Sequence, residues 1–179
     1  MTLEVLVIAL VRIAGSLPVL RWPLAGGILA ILVDLSDLLL MNVLELGGVP
    51  DYQRLDKVLD LVYMGTFLVV ALRWTGPDRW VCVALFAWRM IGFVAFEMTG
   101  ERALLLVFPN VFEPWFLLVA VLHHRWNPVP WSARSLVPAM GGLLAVKELQ
   151  EWALHWARLF DNITALEAID RVWRWLTGG

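Results

Sequence analysis

Two aspartates interrupt a long apolar stretch near the N-terminus, GGILAILVDLSDLLLM at residues 26–41. Asp34 and Asp37 are three residues apart, so their carboxylates share one face of a helix. An ionised side chain inside a membrane costs roughly 2.5–3.5 kcal/mol even on lenient scales, and leucine would avoid this cost. Carboxylates at such a depth can hold a proton or bind a cation, and we therefore expect them to line a functional polar cavity.

Other polar side chains in the apolar segments follow similar helical stripes. Asp56, Asp60 and Tyr63 share one face, and Lys147 and Glu151 share another. Such groups avoid lipid, so the stripes should face one another inside a bundle. We expect a pocket for a ligand or ion that is lined by Asp34, Asp37, Asp60, Tyr63, Arg89, Glu97, Lys147, Glu148 and Glu151.

Acids outnumber bases around this pocket. The acids are Asp34, Asp37, Asp60, Glu97, Glu113, Glu148 and Glu151, and the bases are Arg89, Arg102 and Lys147. The surplus carboxyls should either hold protons or bind a cation. A structural salt-bridge network is the alternative, with Arg12 as a counter-ion inside the bundle and Arg89 as a counter-ion for Asp34 or Glu97.

Six apolar segments must position these residues. The chain has 179 residues, of which 60% are hydrophobic and 17% charged, whereas soluble domains are nearer half apolar. We predict an all-α polytopic membrane helical bundle, because each segment is near the roughly 17–25 residues that span a bilayer. The segments are 3–20, 23–46, 52–74, 77–99, 110–126 and 133–156, within one transmembrane domain of residues 1–160.

Two stretches depart from this pattern. Residues 101–108 form a short apolar piece before Pro109, which predicts a re-entrant turn or a kinked span. Asn110 and Glu113 fit a capping box that starts the next helix. Residues 161–179 contain an amphipathic pattern and predict a C-terminal helix on the membrane surface.

The ends of the segments define two sides of the membrane. Arg-Trp pairs fall at one side, which we call side B, and the predicted pocket opens to the opposite side A. The half toward side B is almost free of ionisable groups, and His123 and His124 are interpreted as interface residues. Basic residues of the tail favour side A as cytoplasmic, in a bacterial-type inner (plasma) membrane.

Three function classes remain open. The first is a transporter or channel for a cation or proton. The second is an intramembrane enzyme acting on a lipid headgroup, with Mg²⁺ or another divalent metal held by Asp34, Asp37, Asp56 and Asp60. The third is an accessory subunit of a membrane complex, and homo-oligomers fit each class. The net charge of −2 argues against nucleic acid, and Cys82 as the single cysteine excludes an internal disulfide.

The acid pairs are similar in part to the CDP-alcohol phosphotransferases, small six-span enzymes with an Asp-x-x-Asp-Gly-x-x-Ala-Arg stretch followed by Gly-x-x-x-Asp-x-x-x-Asp. Asp34, Asp37, Asp56 and Asp60 carry this resemblance, which covers about 27 of the 179 residues. The chain departs from the pattern at several places: Leu38 and Tyr52 replace glycines, Met41-Asn42 replaces Ala-Arg, and the gap is one residue longer. The resemblance implies metal-dependent chemistry on a lipid-linked headgroup.

Overall fold

The computed structural model describes residues 3–36, 52–101, 104, 107–151 and 174, and only the backbone of residues 52–54 and 151. These residues form helices and connections with no strand among them, which confirms the all-α prediction. Asp37, Arg102 and the predicted C-terminal surface helix, apart from residue 174, lie outside the described residues.

Six α-helices occur in the described part of the chain. We number them in chain order: α1 (Leu3–Ser16), α2 (Pro23–Leu35), α3 (Tyr52–Ala71), α4 (Gly76–Thr99), α5 (Phe112–Leu122) and α6 (Ala133–Glu151). A 3₁₀ turn, Leu17–Leu20, extends α1 without a break. The starts and ends of α1, α3 and α4 agree with the predicted segments to within a few residues.

Prolines and one glycine place several of these boundaries. Pro18 lies in the 3₁₀ turn, and prolines occupy the first turns of α2 and α4, where a missing N–H costs nothing. Gly100 ends α4 with φ of 72°, a left-handed conformation that favours glycine. Half of the predicted re-entrant or kinked stretch, residues 102, 103, 105 and 106, lies outside the described residues, so that expectation stays a prediction.

Fewer of the described helices are long enough to span a membrane than the six segments predicted from the sequence. Among the described residues, Leu3–Leu20 and Gly76–Thr99 are long and apolar enough to cross a bilayer by length and composition. Pro23–Leu35 and Phe112–Leu122 are apolar but shorter. The prediction for α5 was too long, since the helix has 11 residues.

An aromatic core lies between α3 and α5. Phe67 is fully buried and stacks on Phe116 with ring centroids 4.2 Å apart, and Trp74 stacks on the same Phe116 at 5.0 Å. α1 and α2 pack against each other and against α3, while α4 and α2 pack on α5 and α6 contacts α5. The three helices α1, α2 and α3 all contact one another, so their polar residues can lie close together.

The turn between α1 and α2 depends on a close backbone approach at Gly26. A Cβ atom at this position would lie 2.3 Å from the backbone nitrogen of Val19 and 2.4 Å from the carbonyl carbon of Pro18. Backbone atoms cannot rotate away as a side chain can, so α2 approaches α1 this closely only because residue 26 has no side chain. A Cβ atom on Gly65 in α3 would meet nothing within 4 Å, and Gly65 is therefore the natural comparison.

We predict opposite effects for two glycine-to-alanine substitutions. Gly26→Ala should lower the free energy of unfolding by at least about 1–3 kcal/mol, because α2 must move away from the 3₁₀ turn. Gly65→Ala should be neutral or stabilising by about 0.5–1 kcal/mol, because alanine favours a helix interior. Thermal unfolding followed by circular dichroism measures both, and equal effects would contradict the close packing at Gly26.

Candidate functional site

Arg12 lies at the centre of the largest charged cluster in the described residues. It shares the buried face of α1 with Glu4, Ile8 and Ser16, all at helical spacing. Only 4% of its surface is exposed. A guanidinium so deeply buried needs partners, because it has lost most of its hydration.

Three carboxylates from two other helices surround this guanidinium. Nη1 of Arg12 donates to Oδ1 of Asp56 at 2.9 Å, and Nη2 donates to Oδ1 of Asp60 at 2.6 Å. Nη2 also forms an ion pair with Asp34 of α2. We call Arg12, Asp34, Asp56 and Asp60 the Arg12 cluster. Asp34 thus sits in its apolar segment beside a buried cation.

The Arg12 cluster is unbalanced in charge. When all three carboxyl groups are ionised, one positive charge faces three negative charges. The three side chains are between 24% and 38% exposed, so the cluster extends from the buried guanidinium to the surface. The arrangement can release its excess charge by taking up a proton or by attracting a second cation.

The same three aspartates have the spacing of a cation site. One oxygen from each of Asp34, Asp56 and Asp60 can be chosen so that all lie within 4.8 Å of one another. Carboxylate oxygens suit Mg²⁺ and similar hard cations. Arg12 already binds an oxygen of each aspartate, so a metal ion would have to compete with the guanidinium for these ligands.

A second polar group lies one helical turn further along α3. The hydroxyl of Tyr63 donates to Oε2 of Glu113 at 3.1 Å, and Nδ2 of Asn110 donates to the same oxygen at 3.1 Å. We call Tyr63, Asn110 and Glu113 the Glu113 group. Tyr63 follows Asp60 by three residues, so α3 presents the Arg12 cluster and the Glu113 group on neighbouring turns.

The predicted capping box of Asn110 and Glu113 was wrong. The N-cap of α5 is Val111, and no side chain caps this helix end. The Asn110 side chain donates to the Glu113 carboxylate and not to the backbone. The buried Pro109 and Asn110 hold the chain inside the protein before α5 begins. The Glu113 carboxylate therefore accepts hydrogen bonds from the side chains of Tyr63 and Asn110 and does not cap the helix.

The remaining predicted site residues have varied positions. Arg89 donates to the carbonyl oxygen of Phe108 at 3.0 Å, a different partner from the predicted carboxylates. Glu97 forms an exposed ion pair with Lys57 at 2.9 Å, apart from the Arg12 contacts. Arg89 and Lys147 both act electrostatically on Glu113.

The three predicted residues of the last segment, Lys147, Glu148 and Glu151, belong to α6. Lys147 donates to Gln150 at 3.2 Å, within α6. Glu148 is half-buried on the same helix, and only the backbone of Glu151 is described. Asp37 lies outside the described residues, so its place in the pocket stays a prediction.

A third cluster, at the side B end, contradicts the expectation that this half is almost free of ionisable groups. Asp78 of α4 is fully buried and accepts three hydrogen bonds: from the backbone N–H of Val129 at 3.0 Å, from Nε1 of Trp131 at 2.5 Å and from His123 Nε2 at 2.8 Å. We call these residues the Asp78 cluster. An acid in the first turn after Pro77 suggests an exposed helix start, so its spacing in the sequence did not indicate burial.

We predict that Asp78 stabilises the connection between α5 and α6. Asp78→Ala leaves buried donors on Val129 and Trp131 without an acceptor and should lower the free energy of unfolding by about 3–5 kcal/mol. Glu97→Gln removes an exposed ion pair and should cost less than about 1 kcal/mol. Chemical unfolding followed by tryptophan fluorescence compares the two variants. Similar small losses would show that the Asp78 hydrogen bonds contribute little.

Comparison with known proteins adds no assignment to these clusters. No protein-family model, curated protein or solved structure matches the chain. The partial resemblance to the CDP-alcohol phosphotransferases gains no support from these comparisons.

Proposed function

We propose that this is an integral membrane protein that transports or conducts a proton or small cation through its carboxylate-rich interior. The exposed surfaces of α1, α2 and α4 carry large apolar side chains, among them Leu10, Leu32 and Ile91. In the core helix of a soluble protein most of the apolar surface would be buried. Only 11% of the apolar window in α4 and 28% of that in Leu3–Leu20 are buried, which favours lipid as the surrounding medium.

Helix geometry supports a mid-membrane depth for the Arg12 cluster. Asp34 follows the start of α2 at Pro23 by a rise of about 16 Å, and Asp60 precedes the end of α3 at Ala71 by a similar distance. The hydrocarbon core of a bilayer is about 30 Å thick. Ionisable groups near its centre mark ion pathways or proton relays more often than simple structural contacts.

The single observation that carries the proposal is the charge imbalance around Arg12. A network built only for stability would be expected to match its charges, because each unpaired carboxylate at this depth is costly. Among the described residues, three carboxylates around one guanidinium leave negative charge for a mobile proton or cation, and Arg89 acts electrostatically on Asp60 from outside the cluster. The partial exposure of the three carboxylates gives that ion a way in from the surface.

A metal-dependent enzyme acting on a lipid headgroup is the second candidate. The close approach of carboxylate oxygens from Asp34, Asp56 and Asp60 favours it. Arg12 then has to leave at least one aspartate when the metal binds, or else bind the phosphate of the substrate. Activity that requires Mg²⁺ or Mn²⁺, without ion flux, would favour this candidate over transport.

We predict that Asp60 is needed for flux and that Glu97 is not. In sealed proteoliposomes, Asp60→Asn should lower proton or cation flux at least about tenfold, because the neutral amide cannot take up and release the ion. Arg12 keeps Asp34 and Asp56 as partners in this variant, so we expect it to fold. Glu97→Gln, which removes an exposed acid outside the Arg12 contacts, should keep wild-type flux.

Two results would contradict transport. One is the absence of flux from wild-type protein that is folded and inserted. The other is equal flux from wild type and Asp60→Asn. Proton flux should be measured with a pH-sensitive dye inside the vesicles. Na⁺ flux and K⁺ flux should be measured separately, so that a lost flux of one ion is not hidden by the flux of another.

A further inference from the structure

We propose that the Glu113 group is a second binding site, specific for a small cation that donates hydrogen bonds, of the ammonium class. It is distinct from the Arg12 cluster, whose carboxylates already have a guanidinium partner. The proposal rests on the proposed transport function for movement of the cation, whereas binding can be tested by itself.

One side-chain oxygen of the Glu113 group is an unsatisfied acceptor. Asn110 is 6% exposed, and its Nδ2 donates to Glu113, but its buried Oδ1 has no hydrogen-bond partner among the residues that the structure describes. Buried polar atoms are nearly always paired, because an unpaired one costs about 1–3 kcal/mol. A ligand that donates a hydrogen bond to this oxygen would remove that cost.

The position of this oxygen is fixed by the amide group. Oδ1 and Nδ2 of one amide are roughly 2.3 Å apart by standard bond lengths. Since Nδ2 lies 3.1 Å from Oε2 of Glu113, Oδ1 lies no more than about 5.4 Å from that oxygen. One nitrogen that donates two N–H···O hydrogen bonds of normal length, about 2.9 Å from nitrogen to oxygen, can reach both the amide oxygen and the carboxylate.

Glu113 supplies the negative charge that would attract a cation. The Tyr63 hydroxyl and the Asn110 amide both direct hydrogens at Oε2, which offsets part of the cost of burying Glu113 as a carboxylate. Asp60 adds negative charge nearby, while Lys147 and Arg89 oppose it. A bound ion would have to coexist with both of these described cations.

The kinds of atom favour an N–H donor over a metal ion. Mg²⁺ and Ca²⁺ take six or more oxygens in their coordination shells. Two of the three side chains here are already used as donors to Glu113, so few oxygens remain for a metal. An ammonium ion needs only directed acceptors, and Asn110 Oδ1 and the Glu113 carboxylate provide two.

The test uses the full-length protein in detergent, with ammonium chloride as the probe. Intrinsic tryptophan fluorescence and thermal unfolding are followed while ammonium replaces sodium at constant ionic strength, with potassium as the parallel series. We expect a saturable ammonium response and a rise in Tm of about 3 °C at tenfold above Kd. Potassium should produce neither.

Four variants locate the response. Asn110→Leu and Glu113→Gln should each weaken ammonium binding at least tenfold. If the leucine variant fails to fold, ammonium binding by Glu113→Gln still tests the site. Lys147→Gln should tighten binding severalfold, because a competing positive charge is removed. Glu97→Gln, which removes an exposed ion pair with Lys57 outside both clusters, is the matched control and should bind as wild type does.

Three outcomes would overturn the proposal. They are an equal response to potassium, the absence of any saturable ammonium response, and a response unchanged by both Asn110→Leu and Glu113→Gln. Ammonium binding without ion flux would leave the site standing and contradict the transport function. Flux that needs Asp60, without ammonium binding, would support the transport function and contradict the ammonium site.

Discussion

The buried guanidinium of Arg12 is the constraint on which the rest of the structure depends. It ties α1 to α2 through Asp34 and to α3 through Asp56 and Asp60. Burying these charges is unfavourable, and their mutual attraction repays it only when the geometry holds all partners together. One side chain therefore connects three helices, and the close approach at Gly26 packs the start of α2 on the 3₁₀ turn that follows α1.

Aromatic rings separate the polar regions at the two ends of α3. From Tyr63 the rings of Phe67, Phe116, Trp74 and His123 follow one another, with centroid separations of 5.5, 4.2, 5.0 and 4.9 Å. The first ring contacts Glu113 and the last contacts Asp78. Ion movement between the two ends would require these rings to part, so the proposed transport includes an apolar barrier that must open.

Much of the helical framework was predictable, because apolar length and proline placement are local properties. The starts of α2 at Pro23 and of α6 at Ala133 follow from such signals. The stripe of Asp56, Asp60 and Tyr63 on α3 was likewise visible as a helical repeat. The membrane environment itself remains part of the proposal, since two of the described helices have spanning length and apolarity.

The partners of these residues were harder to predict, because they depend on how helices rotate against one another. Arg12 was noted as a counter-ion in the bundle, but nothing in sequence spacing pairs it with Asp34, Asp56 and Asp60 together. Its place with Glu4 and Ile8 on one face of α1 was the available signal. Asn110 and Glu113 matched a capping pattern, yet the N-cap is Val111, one residue later, and the Asn110 side chain donates to the Glu113 carboxylate instead of the backbone.

A double-mutant cycle on Arg12 and Asp60 tests the central claim most directly. Arg12→Met should lower the free energy of unfolding by about 3–5 kcal/mol, because three carboxylates lose their counter-ion. Adding Asp60→Asn should restore part of that loss, giving a coupling energy of about 1–3 kcal/mol. The exposed pair of Lys57 and Glu97 should couple by less than about 1 kcal/mol. Additive effects of Arg12→Met and Asp60→Asn would contradict the account, because they would show that Arg12 does not hold the cluster together.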